Sequence, residues 1–263
     1  MITVTALPAF SDNYLWLLER DGHAAVVDPG DAAVVQAALE ARGLQLDAIL
    51  ITHHHPDHIG GLAALAAASG ARVYGPRLEQ AKIPGLQVLL DDGDRLPLDG
   101  LGIELEVLGV PGHTLGHIAY FEPRQRLLFC GDTLFIGGCG RLFEGTPAQM
   151  HDSLAKLAAL PGDTAVYCAH EYTLANYDFM VSVEPDNAAI ADEFERLQTL
   201  RARGIPTVPG SIAGERARNP FLRSAEPSLG ARMSLQSGQE MTDSIDVFAT
   251  LRRLKDGHRP RIR

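Results

Sequence analysis

The chain reads as an α/β domain of two mixed sheets covered by helices, followed by a helical domain. Short apolar strands alternate with helical patterns up to about residue 173, with hairpin signals among them. Beyond residue 173 the strand signals stop and helical spacing takes over. A length of 263 residues allows one large domain or two modest ones. The expected division is 1–173 and 174–263.

Taken in order, residues 2–7, 14–19 and 24–28 have the character of short strands, separated by Ser11-Asp12-Asn13 and Asp21-Gly22. Asp28-Pro29-Gly30 ends the third. Residues 31–42 have helical spacing closed by Gly43. The apolar run 46–51 reads as a buried strand and the Ala/Leu-rich run 59–69 as a helix. A strand at 72–74 and β-rich stretches at 86–90 and 101–110 follow. Residues 117–121 and 126–130 form a hairpin pattern about Glu122-Pro123-Arg124. An amphipathic helix at 146–160 and a short strand at 164–168 complete the first domain. In the second, Asp186 is placed to cap a helix over 187–203, a Gly/Pro-rich connector spans 204–220, and a last helix covers 243–255.

Composition narrows the function classes. A net charge of −10 argues against nucleic acid as partner. No apolar run reaches the roughly 18 residues of a membrane span, and the N-terminus lacks the basic start of a secretory signal. The expected compartment is the cytoplasm. Cys130, Cys139 and Cys168 form no CxxC pair and read as small buried thiols. Residues 1–170 carry 10 basic and 20 acidic groups, whereas 252–263 carry six basic groups and one acid. Such a tail is either solvated or attracts an anionic small molecule.

The chemistry concentrates in THHHPDHIGG, residues 52–61. Imidazole and carboxylate are the usual ligands of zinc, iron or manganese; a histidine-rich surface loop is the bland alternative. The stretch follows a strand and precedes a helix, where α/β folds build their sites. Pro56 keeps His55 out of helical geometry, so this is not a helical HExxH site. Three further strand ends offer the same chemistry: His113 after Pro111-Gly112, Asp132 after an apolar strand, and His170 closing the strand at 164–168. His117 is a weaker candidate, and a lone Asp132 is often only a turn cap. His54 is left out because neighbours in an extended segment point opposite ways. His53, His55, Asp57, His58, His113, Asp132 and His170 are too many for one tetrahedral ion and suit two ions sharing a carboxylate.

These residues resemble the metallo-β-lactamase superfamily, whose HxHxDH signature stands here as His53-His54-His55-Pro56-Asp57-His58. PGHTLGH (111–117), GDTLFIGGCGRLFEGT (131–146), HEYT (170–173), NPFLR (219–223) and RRLK (252–255) resemble more closely the glyoxalase II, or hydroxyacylglutathione hydrolase, family. The resemblance implies an αββα sandwich of two mixed sheets with a C-terminal helical, substrate-binding domain. It implies a monomer with two divalent ions, zinc first with iron or manganese as alternatives. One ion takes His53, His55 and His113, the other Asp57, His58 and His170, and Asp132 bridges. The implied reaction is hydrolysis of S-(2-hydroxyacyl)glutathione, chiefly S-D-lactoylglutathione, to D-lactate and glutathione. This is the second step of methylglyoxal detoxification, by attack of a metal-bridging hydroxide that Asp57 and Asp132 hold. Arg141, Phe143, Tyr172, Arg252 and Lys255 are the implied glutathione contacts. Animal members have lysine where Arg141 stands and tyrosine where Phe143 stands; Arg141 keeps the charge, but Phe143 lacks the hydroxyl. A persulfide dioxygenase with one iron is the rival reading, on a scaffold that lacks NPFLR and RRLK.

Overall fold

The computed structural model describes residues 1–260. The first sheet comprises β1 (Thr3–Ala9), β2 (Asn13–Arg20), β3 (His23–Val27), β4 (Gln45–Leu50), β5 (Arg72–Pro76) and β6 (Val88–Leu90), side by side in that order. β1 to β3 form an antiparallel meander, and β3 to β6 run parallel. Parallel pairing requires crossovers. α1 (Ala32–Arg42) supplies the first, capped by the Asp31 carboxylate, which accepts from the amides of Ala33 and Val34. α2 (Pro56–Ile59) and α3 (Leu62–Ser69) supply the second.

The period-two alternation of β2 explains the layering. Tyr14, Trp16 and Leu18 enter the core between the sheets, while Leu15 and Leu17 join Val35, Leu39, Leu62 and Leu65 beneath α1 and α3. The second sheet holds β7 (Arg95–Leu98), β8 (Ile103–Gly109), β9 (Ile118–Glu122), β10 (Leu127–Gly131), β13 (Ala165–Cys168) and β14 (Gly210–Ser211), in the order β14-β13-β10-β9-β8-β7. Between β10 and β13 the chain makes a small hairpin, β11 (Leu134–Phe135) with β12 (Gly138–Cys139), then α4 (Pro147–Ala158). Met150, Leu154 and Leu157 of α4 are fully buried. The result is the expected αββα sandwich of two mixed sheets. After it come α5 (Thr173–Val183), α6 (Ala188–Ala202), α7 (Ile212–Arg218), α8 (Pro227–Ser237) and α9 (Ser244–Gly257). Among the described residues no helix is long and apolar enough to cross a membrane.

Several expectations are corrected. The helix expected over 59–69 breaks at Gly60-Gly61. A Cβ on either would lie within 2.6 Å of the carbonyls of Gly30 and Pro29, so this pair lets the ligand loop press against the turn after β3. The helix expected over 187–203 spans Ala188–Ala202 with Asn187, not Asp186, at its N-cap position and no side-chain cap; the Asp186 carboxylate instead pairs with Arg232. Strand structure does not stop at residue 173: β14 returns from the helical part to pair with β13. The connector 204–220 contains α7, and α5 and α8 fill stretches without a clear helical signal. All three cysteines are free and buried, as expected.

The helical part grips the sandwich through polar side chains on the β11–β12 hairpin. The Gly137 amide donates to Glu215 Oε2 at 2.8 Å; Asn219 Nδ2 donates to Gly138 O at 3.0 Å, and Asn176 Nδ2 to Ile136 O at 3.0 Å. Burial pushes the Glu215 carboxyl from 4.5 up to about 7, against the Gly137 and Asn219 hydrogen bonds and the Arg218 charge, which favour the anion. With its folded value raised, Glu215 contributes stability that is full below about 4.5 and lost as pH rises towards 7. Glu215→Gln keeps the shape and an acceptor oxygen but cannot ionise. Chemical denaturation should therefore show the wild type losing about 3 kcal/mol relative to this variant between pH 4.5 and 7.5. A parallel pH dependence of the two proteins would contradict the assignment.

Candidate metal centre

All seven expected ligands meet at the strand ends between the two sheets. His53, His55, Asp57 and His58 come from the loop after β4 and from α2. His113 comes from the loop after β8, Asp132 from the turn after β10, and His170 from the end of β13. They form two groups. His55 Nδ1 lies 3.1 Å from His53 Nε2 and 2.9 Å from His113 Nε2. Asp57 Oδ2 lies 3.3 Å from His58 Nε2 and 3.4 Å from His170 Nε2. Asp132 joins the groups: Oδ1 is 3.3 Å from His170 Nε2 and 3.5 Å from His58 Nε2, and Oδ2 is 3.4 Å from His113 Nε2.

The outer nitrogens of four of the five histidines are engaged. His58 Nδ1 donates to Asp28 Oδ2, His170 Nδ1 to Asp12 Oδ1, and His113 Nδ1 to the Arg141 carbonyl. Thr52 Oγ1 donates to Asp28 Oδ2 and so accepts from His53 Nδ1. These bonds fix the tautomers and leave four Nε2 lone pairs facing inward. Among the described residues, His58 Nε2 and Asp132 Oδ1 are buried with no hydrogen-bond partner. Buried polar atoms normally have one, and a cation between the groups would satisfy both. The donor set fits divalent metal at two positions: His53, His55 and His113 could hold one ion, Asp57, His58 and His170 another.

The electrostatics agree with this donor set. Burial, with neighbouring imidazoles, holds His53 well below its ordinary value and brings His55 down to about 4; His113 is lowered chiefly by burial. These three rings are neutral near pH 7, as ligands must be. Burial works to raise Asp57 and Asp132, but His58 overrides it, and both are held below the usual carboxylate range. Burial works to lower His58 and His170, but Asp132 raises both.

His117 is no ligand: its Nε2 accepts the Asp132 amide at 3.1 Å and its ring stacks on His53. His54 points away, to the buried Glu79. Sequence reasoning missed Asp12, Asn13, Asp28 and Thr52, which read only as turn or strand-end residues. The partners of Asp12, Asn13 and Asp28 lie 30 to 158 residues away and could not be read from spacing.

A cleft of about 380 Å³ opens from the centre, lined by Arg141, Phe143, Tyr172, Arg252 and Lys255. The structure thus brings the five expected contact residues together. The Tyr172 ring stacks on His170, and Phe143 stands edge-on to His55 and His113. Lys255 Nζ donates to Ala175 O at 2.7 Å. Arg252 is buried, with Nη1 donating to Cys139 O and Nη2 to Asp256 Oδ1.

Fold and ligand set define a domain of the metallo-β-lactamase superfamily, whose model matches residues 10–170. The model of the hydroxyacylglutathione hydrolase C-terminus matches residues 171–258. A hydroxyacylglutathione hydrolase from Pseudomonas aeruginosa (strain LESB58) is 55% identical over 260 residues, 97% of this chain and 99% of that protein. The chain belongs to the hydroxyacylglutathione hydrolase family. Among solved structures, ETHE1 from Myxococcus xanthus superposes with a TM-score of 0.64 at 23% identity, covering 98% of this chain and all of that one, a likeness of fold alone. TTHA1623 in a di-iron-bound form has a TM-score of 0.54 at 32% identity, over 64% of this chain and 91% of that one.

Gly140 tests how tightly the bridging residue is held. A Cβ there would lie 1.9 Å from the Asp132 carbonyl oxygen and 3.3 Å from His113 Nδ1. Gly140→Ala should displace both residues and lower kcat about 100-fold. Gly230→Ala, which meets only Val247 at 3.6 Å, should leave kcat unchanged. Equal kcat values for both variants would mean that the backbone near Asp132 yields freely.

Proposed function

We propose that the chain hydrolyses S-(2-hydroxyacyl)glutathiones, chiefly S-D-lactoylglutathione, to the hydroxy acid and glutathione, with two divalent ions. Zinc, iron and manganese all suit His/Asp ligands. The observation that carries the reading is the pair of ligand groups sharing Asp132, together with a full-length match to hydroxyacylglutathione hydrolases. The di-iron form of TTHA1623 supports the count of two. Residues 1–173 would bind metal and residues 174–263 would supply the far wall of the substrate cleft. The persulfide dioxygenase alternative is less supported, because the hydrolase C-terminal model matches residues 171–258.

The ions would acidify a water to give hydroxide near neutral pH and polarise the thioester carbonyl. Asp57 and Asp132 are ionised, Asp132 lying between the two groups and Asp57 within one of them, and both could accept a hydrogen bond from the attacking water and hold it in place. The leaving thiolate comes from a thiol of pKa about 8.5 and needs little protonation. Phe143 and Tyr172 flank the centre as apolar walls; the Tyr172 hydroxyl remains a donor, since burial raises it above its ordinary value. Arg141 is mostly exposed at the rim, beside Asp256, and would meet a glutathione carboxylate there. Burial lowers Lys255 to about 8, so it retains its charge at neutral pH. Arg252 would act through Cys139 and Asp256 as well as by its charge.

Loss of thioester absorbance with S-D-lactoylglutathione, with and without chelator, tests the reading. Rapid loss that the chelator abolishes is expected; metal-independent hydrolysis, or none, would overturn it. Asp132→Ala should nearly abolish turnover in a folded protein. Lys255→Ala should raise KM about tenfold with kcat largely unchanged, since a charge contact is made equally in ground and transition states. Arg252→Ala should raise KM too. A small thioester lacking the peptide should not sense Lys255→Ala, and equal losses on both substrates would mean that Lys255 supports folding instead.

A further inference from the structure

We infer that the side chains of the Asp12-Asn13 turn, between β1 and β2, set the metal affinity of the Asp57–His58–His170 group separately from that of the His53–His55–His113 group. The inference rests on the two-ion reading above. In the sequence this turn is only a break between two strands. In the fold it reaches across the sandwich to two ligands that lie 44 and 158 residues away.

Asp12 Oδ1 accepts from His170 Nδ1 at 2.8 Å, and its other oxygen accepts from Ser11 Oγ at 2.9 Å. The carboxylate thereby fixes the His170 tautomer and the angle of its ring, leaving Nε2 aimed at Asp57 and Asp132. Asn13 is buried, and its Nδ2 donates to Asp57 Oδ2 at 3.0 Å. That oxygen is the one facing His58 and His170. The amide therefore fixes the carboxylate rotamer that presents Oδ2 to the ion. Two of the three ligands in this group are held by one turn, and the third, His58, by Asp28. Among the described residues, the Asp12 and Asn13 side chains make no hydrogen bond to His53, His55 or His113. His53 is ordered from elsewhere, by Thr52, and His113 by the Arg141 carbonyl.

The turn itself is held by backbone. The Tyr14 amide donates to Ala169 O at 2.7 Å and the Glu171 amide to Asp12 O at 2.9 Å, and Asn13 bridges His170 in antiparallel fashion. These bonds survive side-chain substitution. Removing the carboxylate or the amide should therefore leave the turn in place and release only the ligands. Positioning partners of metal ligands typically contribute 10–100-fold in affinity.

The test is a zinc titration of metal-depleted wild type, Asp12→Ala, Asp12→Asn and Asn13→Leu against a chromophoric chelator. Anomalous diffraction then reads occupancy at each position. The wild type should bind in two steps. In Asp12→Ala and Asn13→Leu one step should weaken roughly 10–100-fold and the other stay unchanged, with the loss located at Asp57–His58–His170. Asp12→Asn keeps an acceptor oxygen for His170 and should recover most of the affinity. Weakening of both steps together, or of neither, would overturn the inference. A wild type that binds a single ion would overturn the two-ion reading itself, before any variant is compared.

Discussion

A carboxylate buried between two sets of imidazoles governs this structure. Asp132 is 7% exposed, one of its oxygens has no hydrogen-bond partner, and both face ligand nitrogens. Taking an ionised group out of water costs several kcal/mol unless opposite charge compensates it. The surrounding rings supply only part of that charge, because burial keeps His53, His55 and His113 neutral. A divalent cation held by each ligand group would supply the rest. The same arrangement that leaves Asp132 short of opposite charge suits the site to a divalent metal.

The sandwich exists, in functional terms, to bring that carboxylate and its partners to one edge. Ligands come from β4, β8, β10 and β13, two sheets in all, and each sits where a strand has just ended. Strand ends free the backbone to turn, so side chains from both sheets can point at one volume. The helical part completes the arrangement. Glu215, Asn219 and Asn176 hold the β11–β12 hairpin, whose two ends carry Asp132 and Arg141. One short segment thus links the metal centre, the rim of the cleft and the helices that close it. Arg252 adds a fourth grip on the same hairpin through the Cys139 carbonyl.

Much of this was legible in the sequence because the ligands are local motifs. His53-x-His55-x-Asp57-His58 announces its chemistry within six positions, and His113, Asp132 and His170 each follow an apolar strand. The two sheets were legible from strands alternating with helical patterns and from the hairpin signals among them. What escaped depends on distant partners. Asp12 and Asn13 look like any turn, and Asp28 like any strand end, until folding puts them against His170, Asp57 and His58. β14 is two residues long and exists only by pairing with β13. α5 is buried on most sides through Tyr177, Phe179 and Met180, so it carries no amphipathic stripe to read. Asp186 looked like a cap because capping chemistry is local, whereas its attraction to Arg232, 46 residues on, is not.

The central claim is that both ligand groups must be filled for thioester hydrolysis. It is tested most directly by adding metal stepwise to metal-free enzyme and measuring the hydrolysis rate of S-D-lactoylglutathione at each addition. The account predicts a rate that stays low through the first equivalent and rises to its plateau with the second. A plateau already reached at one equivalent, with the second ion bound but without effect, would contradict it.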